Sequence, residues 1–306
     1  MKISVIGAGN VGSLAAMRIA QEKLGNVVLV DVVKGMAQGK SCDLEDAQML
    51  LNVDYSIEGT DDITKIKSSN IVVVTAGLAR KPGMTREELL LKNSEILKNI
   101  CISIKNYAPE AIVIIVTNPL DLMTYLALKI TGFKREKLFG MGISLDAARF
   151  ANLISKELKV PITEIEACVI GSHGEGMVPL AEFSSVKGTS LLKLLNQEKI
   201  DELFKKTVYR GAEIVSLLGS GSAFFAPSAA IAQIVKIIAK DQKQVIGVCA
   251  SLSGEYGIDD ICTGVPARIG INGIEQIIEL KLSKENNNLL IKAVESIRSL
   301  AKQLPL

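Results

Sequence analysis

The 306-residue chain has a single histidine, His173, and few residues arranged to bind a metal. Its five cysteines, Cys42, Cys101, Cys168, Cys249 and Cys262, are odd in number and form no CxxC pair. That argues against a zinc site and a disulfide framework, and for buried, reduced thiols; no metal is expected. No run of 18 apolar residues occurs, so nothing reads as a membrane span. The N-terminal MKISVIGAGNVG is too glycine-rich, and too short in its apolar run, for a signal peptide. With 35 basic against 33 acidic residues and a net charge of +2, the chain lacks the basic tail or arginine cluster that a phosphate backbone requires. A cytoplasmic protein without nucleic-acid or membrane partners is expected. Internal repeats and low-complexity linkers are absent as well.

The scarcity of histidine gives the one present its weight. Imidazole is the side chain whose unperturbed pKa lies near neutrality, so a proton given and taken back at about pH 7 falls most naturally to His173. It sits in VIGSHGEGMVP, residues 169–179, after an apolar run broken by Glu166. That pattern predicts a strand ending in a glycine-flanked loop that presents the ring to a cleft.

At the other end of the chain, a β-branched run at residues 2–6 enters Gly7-Ala8-Gly9-Asn10-Val11-Gly12, and a helix-compatible segment follows at 13–22. Strand, G-x-G-x-x-G turn and helix start gather backbone N–H groups and the positive end of a helix dipole at one point, where a pyrophosphate fits. Gly7 permits the tight turn, Gly9 the approach of the phosphates, and Gly12 close packing of helix on strand. A second apolar strand at 27–30 ends in Asp31, which can accept hydrogen bonds from an adenosine ribose and would repel a 2′-phosphate; NAD is favoured over NADP.

The alternation continues through a helix at about 35–50, a strand near 54–57, and apolar runs at 71–74 and 112–116 on either side of a long helix over 86–106. Unbroken apolar runs belong to parallel strands covered on both faces. The first half therefore predicts an α/β, doubly wound parallel sheet. Beyond about 150 the pattern loosens into a mixed α+β lobe, with helices at 200–218 and 226–239, strands at 245–252 and 262–269, and a closing helix at 284–303.

Charged loops follow the strands. TAGLARKPGMTR, residues 75–86, carries Arg80, Lys81 and Arg86 on a glycine- and proline-punctuated stretch, which suits a lid closing over an anion; a plain solvated loop would read the same way. Thr117-Asn118-Pro119-Leu120-Asp121 offers Asn118 to a substrate hydroxyl or the cofactor, with Pro119 pre-setting the next helix. In GISLDAAR, residues 142–149, Asp146 and Arg149 share a helix face. Their apolar flanks suggest burial, so each needs a partner: His173 for Asp146, a substrate carboxylate for Arg149.

Together VIGAGNVG, LVD, TAGLARKPGMTR, VTNPLD, GMGISLDAARF, VIGSHGEGMVP, GSGSAFFAPSAA and GVPARIGINGIEQIIELKL resemble the malate dehydrogenases of the lactate-dehydrogenase-like family, over nearly the whole chain. The resemblance implies a Rossmann NAD-binding domain at residues 1–145, a catalytic domain at 146–306, and reversible NAD-dependent oxidation of (S)-malate to oxaloacetate. It implies His173 as proton donor and acceptor, Asp146 as its orienting carboxylate, Arg149 on the substrate's C1 carboxylate and Arg86 polarising the C2 carbonyl. The cofactor site it implies draws on Gly7, Gly9, Asn10, Val11, Gly12, Asp31, Thr75, Ala76, Gly77, Asn93, Val116 and Asn118, and the assembly is a homodimer or homotetramer. Arg80 discriminates, because similar lactate enzymes have glutamine there. An arginine enclosed over a methyl group would be a desolvated, unpaired charge, whereas over a C4 carboxylate it makes a charge-assisted pair. Phe224 and Phe225 depart from the family pattern, where tyrosines are commoner, and Arg268 puts a charge in a usually uncharged strand and leaves its register open. The rival readings are another 2-hydroxy-acid dehydrogenase, a metal-requiring NAD-dependent glycosidase, and a non-catalytic NAD-binding sensor.

Overall fold

The β-branched runs become the parallel strands of one large sheet. The computed structural model describes residues 1–78 and 85–305, with the side chain of Arg86 outside that description. In chain order, β1 (Lys2–Ile6) leads to α1 (Asn10–Gln21), β2 (Asn26–Val30) to α2 (Met36–Leu51), and β3 (Ile57–Thr60) to β4 (Ile71–Val74). Next come α3 (Arg86–Tyr107), β5 (Ile112–Ile115), α4 (Leu120–Thr131), β6 (Leu138–Gly140) and α5 (Ile143–Leu158). These six strands lie parallel in the order β3-β2-β1-β4-β5-β6. The chain thus winds outward in both directions from the β1–β4 boundary, the switch point of a doubly wound sheet. Every residue of β4 and β5 is buried, as their unbroken apolar sequences require.

The second half adds the short strands β7 (Ile165–Glu166), β8 (Val169–Gly171), β9 (Met177–Pro179), β10 (Ser185–Val186) and β11 (Thr189–Ser190). Helices α6 (Leu191–Leu194), α7 (Gln197–Leu218) and α8 (Phe225–Ala239) follow, then β12 (Gln244–Ser253), β13 (Asp259–Gly270), β14 (Gly273–Ile277) and α9 (Lys284–Ala301). β12 pairs antiparallel with β6 at Cys249 and Gly140, and β13 with β8 at Gly264 and Gly171. Parallel and antiparallel strands therefore form one 11-stranded sheet, while β7, β10 and β11 make a small separate one. The main apolar core is equally continuous, running from Ile3 to Leu304, and a smaller cluster around Phe150, Ile154 and Leu203 fills the space between α5 and α7. α8 packs back onto α1, where Arg18 Nε donates to Ser228 Oγ at 3.2 Å and Lys236 pairs with Glu22 at 2.8 Å.

Several expectations shift. The third strand begins at Ile57 rather than near 54, because Tyr55 is tied to α2: its hydroxyl donates to the Leu44 carbonyl and its N–H to Gln48 Oε1. The run at 165–170 is divided, β7 joining the small sheet and β8 the large one. At Arg268 the register slips by a bulge before Ile269, and the guanidinium donates to the Lys243 carbonyl at 3.2 Å. All five cysteines are free, but only Cys101, Cys249 and Cys262 are buried; Cys168 is half-buried and Cys42, on the outer side of α2, is exposed. Among the described residues, no helix is long and apolar enough to cross a membrane.

Candidate active site

The glycine turn sits at the carboxyl end of β1. An added Cβ at Gly7, where φ is +107°, would fall 2.6 Å from the Ala76 nitrogen, and one at Gly12 would fall 1.9 Å from the Gly7 carbonyl oxygen. Turn, helix and the exit of β4 are packed too closely for any side chain at either place. Gly9 differs: a Cβ there would meet nothing within 4 Å, and Gly9 and Asn10 are exposed, with Val11 half-buried. No side chain caps the start of α1, so this open face presents free helix N–H groups. That arrangement fits the pyrophosphate of a dinucleotide.

Asp31 is stitched to the same turn. Its Oδ2 accepts the Ala8 N–H at 2.7 Å and its Oδ1 the Val33 N–H at 2.9 Å, and each oxygen keeps a lone pair for a ribose hydroxyl. On the far side Lys40, from α2, donates to the Ala8 carbonyl at 2.5 Å and to Ser13 Oγ at 3.0 Å. The Thr75 hydroxyl donates to the Gly7 carbonyl at 3.0 Å, and the N–H groups of Thr75 and Ala76 to that of Ile6. Gly77 and Asn118 are exposed at the ends of their strands, and Val116 is half-buried. Asn93 faces inward instead. It is 1% exposed, its Oδ1 accepts the Leu78 N–H at 2.7 Å, and its Nδ2 donates to the carbonyls of Leu78 and Asn118. It braces the bases of the two loops that follow β4 and β5. Pro119, after a cis Asn118–Pro119 bond, is the N-cap of α4 rather than its first residue.

β8 and β9 form a tight hairpin whose loop carries His173, between Gly171 at φ +88° and Gly174 at φ +104°. His173 Nδ1 lies 2.7 Å from Asp146 Oδ2, and Asp146 Oδ1 accepts from Arg149 Nη1 at 3.1 Å. Asp146 is wholly buried in the first turn of α5, whereas the His173 side chain is 18% exposed. With Nδ1 engaged by a carboxylate, Nε2 is the nitrogen left to exchange a proton. Burial pulls the ring's pKa down, but the charge and hydrogen bond of Asp146, aided by the charge of Asp121, outweigh it against Arg149 and hold His173 above its ordinary 6.5. Arg149 Nε is buried without a hydrogen-bond partner among the described residues, a donor set that suits a carboxylate.

Arg80 lies outside the described residues, as does the Arg86 side chain; the Arg86 main chain opens α3 behind a capping box of Thr85 and Glu88. The small-residue run after α7 ends in Phe224 and Phe225, whose rings lie 4.4 Å apart, with Phe225 exposed. Two side chains at the site went unread in the sequence, Lys40 and Asp121. The available signal for Asp121 was an acid among Leu120, Leu122 and Met123 in a helix otherwise apolar at its start.

The chain matches two family models end to end: lactate/malate dehydrogenase, NAD binding domain, over residues 1–140, and lactate/malate dehydrogenase, alpha/beta C-terminal domain, over 143–304. It is 50% identical over 298 residues to a malate dehydrogenase of Methanosarcina mazei, covering 97% of each chain. The apo malate dehydrogenase of Picrophilus torridus superposes with a TM-score of 0.95 at 41% identity, over 99% of this chain and 98% of that one. A lactate dehydrogenase of Cryptosporidium parvum, complexed with lactic acid and nicotinamide adenine dinucleotide, also reaches 0.95, at 37% identity over 99% and 97%. With both domains matched and the fold superposed along its length, the chain belongs to the lactate/malate dehydrogenase family.

Proposed function

We propose that this chain is an NAD-dependent malate dehydrogenase that interconverts (S)-malate and oxaloacetate. The observation that carries the reading is the buried Asp146 joined to both His173 and Arg149, a proton-exchanging ring beside a cation with an unspent donor. The residues at the strand ends fit NAD, which, when bound, would supply hydride acceptance from C2 and donation to it. Residues 1–145 hold it, with Gly7, Gly9, Asn10, Val11 and Gly12 at the pyrophosphate, Asp31 at the adenosine ribose, and Thr75, Ala76, Gly77, Val116 and Asn118 along the strand ends. Asn93 acts through the loops it braces.

Residues 146–306 supply most of the chemistry, although sheet and core run through both parts. Arg149 anchors the C1 carboxylate through a two-bond guanidinium pair. In malate oxidation His173 Nε2 takes the C2 hydroxyl proton, and Asp146 stabilises the imidazolium formed. In the reverse direction His173 gives the proton back, Arg86 stabilises negative charge on the C2 oxygen, and Asn118 hydrogen-bonds the same oxygen. Arg80 pairs with the C4 carboxylate, which favours the dicarboxylate over lactate. The enzyme is cytoplasmic and acts as a homodimer or homotetramer. Val32, in the loop between β2 and α2, and Met49 and Leu50, in the last turn of α2, are all more than 80% exposed and supply apolar surface for a second copy; mass measurement in solution tests this.

The function is tested by following NADH absorbance with oxaloacetate as substrate. Turnover in the wild-type chain, abolished by His173→Asn, is expected; no oxidation of NADH, or a fully active mutant, refutes the reading.

A further inference from the structure

The His173 loop is held at a second point that the proton transfer does not use. Asp121, the second residue of α4, is 4% exposed. Its Oδ2 accepts the main-chain N–H of His173 at 3.0 Å and the hydroxyl of Ser172 at 2.8 Å. Its Oδ1 is buried beside the Cys249 thiol, without a hydrogen-bond partner of normal geometry. The histidine is thus gripped by two carboxylates from two helices: Asp146 of α5 fixes the ring, and Asp121 of α4 fixes the backbone.

The second grip matters because it acts on His173 itself: the loop's own main-chain bonds, Ser172 N–H to the Gly176 carbonyl at 3.1 Å and Met177 N–H to that of Gly174 at 3.2 Å, close the turn around the histidine without engaging its N–H. A displacement of about 1 Å at a reacting group costs on the order of 10²-fold in rate. The same α4 begins two residues after Asn118, so Asp121 also ties the His173 loop to the Asn118 turn.

We propose that Asp121 is a positioning residue, an acceptor that fixes the main chain of His173 so that its ring meets a substrate held at Arg149 in one place. This rests on the dehydrogenase reading above. Its positioning role is that of an accepting oxygen: both bonds fall on Oδ2 and an amide oxygen can accept the same two, while its charge separately favours the His173 imidazolium. Burial pushes the Asp121 carboxyl up, opposed by the Ser172 hydroxyl, the Cys249 thiol, the charge of His173 and the His173 N–H. The groups facing Asp121 are Ser172, His173 and Cys249, the last beside Cys262, and those facing His173 are Asp146, Asp121 and Arg149.

The test compares D121A and D121N with the wild-type chain in oxaloacetate reduction. D121A is expected to lower kcat by about tenfold or more while KM and the Kd for NADH stay within about threefold. D121N restores most of that turnover, and the pH at which its kcat/KM declines moves to lower pH, because a charge that helps raise His173 is gone. Wild-type turnover in D121A overturns the proposal, and so does a D121N enzyme as impaired as D121A at its own best pH. Should D121A fail to fold, D121N decides alone: near-normal turnover at low pH supports the role, and impairment there refutes it. A wild-type chain that does not reduce oxaloacetate would overturn the dehydrogenase reading itself, an outcome distinct from any of these.

Discussion

Asp146 and His173 are 27 residues apart in the chain, yet a carboxylate oxygen and a ring nitrogen meet at 2.7 Å, one on helix α5 and the other on the β8–β9 hairpin. The contact sets the direction of the pH dependence. His173 is held above its ordinary value, so oxaloacetate reduction, which needs the imidazolium, should be full at low pH and decline only above about pH 6.5. Asp146→Asn removes the dominant raising influence. The decline should move to lower pH and turnover should fall by about 10²-fold or more, as a mis-set tautomer entails. The folded-state contribution has the same sign: the raised pKa stabilises the fold below about pH 6.5 and that contribution is lost as pH rises through the folded value. A kcat/KM profile of the two enzymes checks this, and an unmoved limb would count against Asp146 as the partner.

His173→Asn should leave NADH binding nearly intact while removing catalysis, since His173 stands on the β8–β9 hairpin and the glycine turn on β1 and α1. Fluorescence titration with NADH, run beside the turnover assay, separates the two. A mutant that loses affinity together with turnover would mean that the loop is part of the cofactor site.

Two glycines of one turn should behave differently. Gly9 has extended backbone at φ −67° and open space beside it, so Gly9→Ala should keep the melting temperature and weaken NADH. Gly12→Ala drives a methyl to 1.9 Å from a carbonyl oxygen and should lower both stability and affinity. Thermal unfolding with and without NADH is the measurement; equal melting temperatures for the two variants would contradict the packing described.

Much of this was legible in the sequence, for physical reasons that differ by element. β4 runs where the apolar stretch runs, because a strand buried on both faces leaves no polar position to blur its ends, and β1 follows its β-branched run with one buried polar residue, Ser4, paired to Ser69. β6, three residues long, is stabilised by β5 and β12 on either side and carries little signal of its own. His173, Asp146 and Arg149 could be matched because each is a rare polar group in an apolar setting that needs a partner. Asn93 read as a cofactor contact, but nothing local reveals that its amide turns back to two carbonyls, since those lie 15 and 25 residues away. Asp121 was hidden in the same way: its partners stand 51 and 52 residues further on.

At the adenosine end, Asp31→Ser should raise the Kd for NADH by about tenfold to a hundredfold, the cost of one hydrogen bond to a charged group, about 1.5–3 kcal/mol. The same change removes the repulsion of a 2′-phosphate, so the preference for NADH over NADPH should narrow. An unchanged ratio of the two affinities would place the ribose elsewhere.

In the proposed function, substrate choice is assigned to Arg80. Arg80→Gln should shift the kcat/KM ratio of oxaloacetate to pyruvate by about 10²-fold or more toward pyruvate, because the mutant loses a charge pair and gains room for an uncharged group. Competition between the two acids in one reaction reads the ratio directly.

Recognition of a dicarboxylate beside NAD is decided by a side-by-side assay of the wild-type chain with oxaloacetate and pyruvate, each with NADH and NADPH. Efficient turnover of oxaloacetate with NADH is expected, with a kcat/KM for pyruvate lower by about 10²-fold or more. Comparable rates for the two acids, or a preference for NADPH, would contradict it.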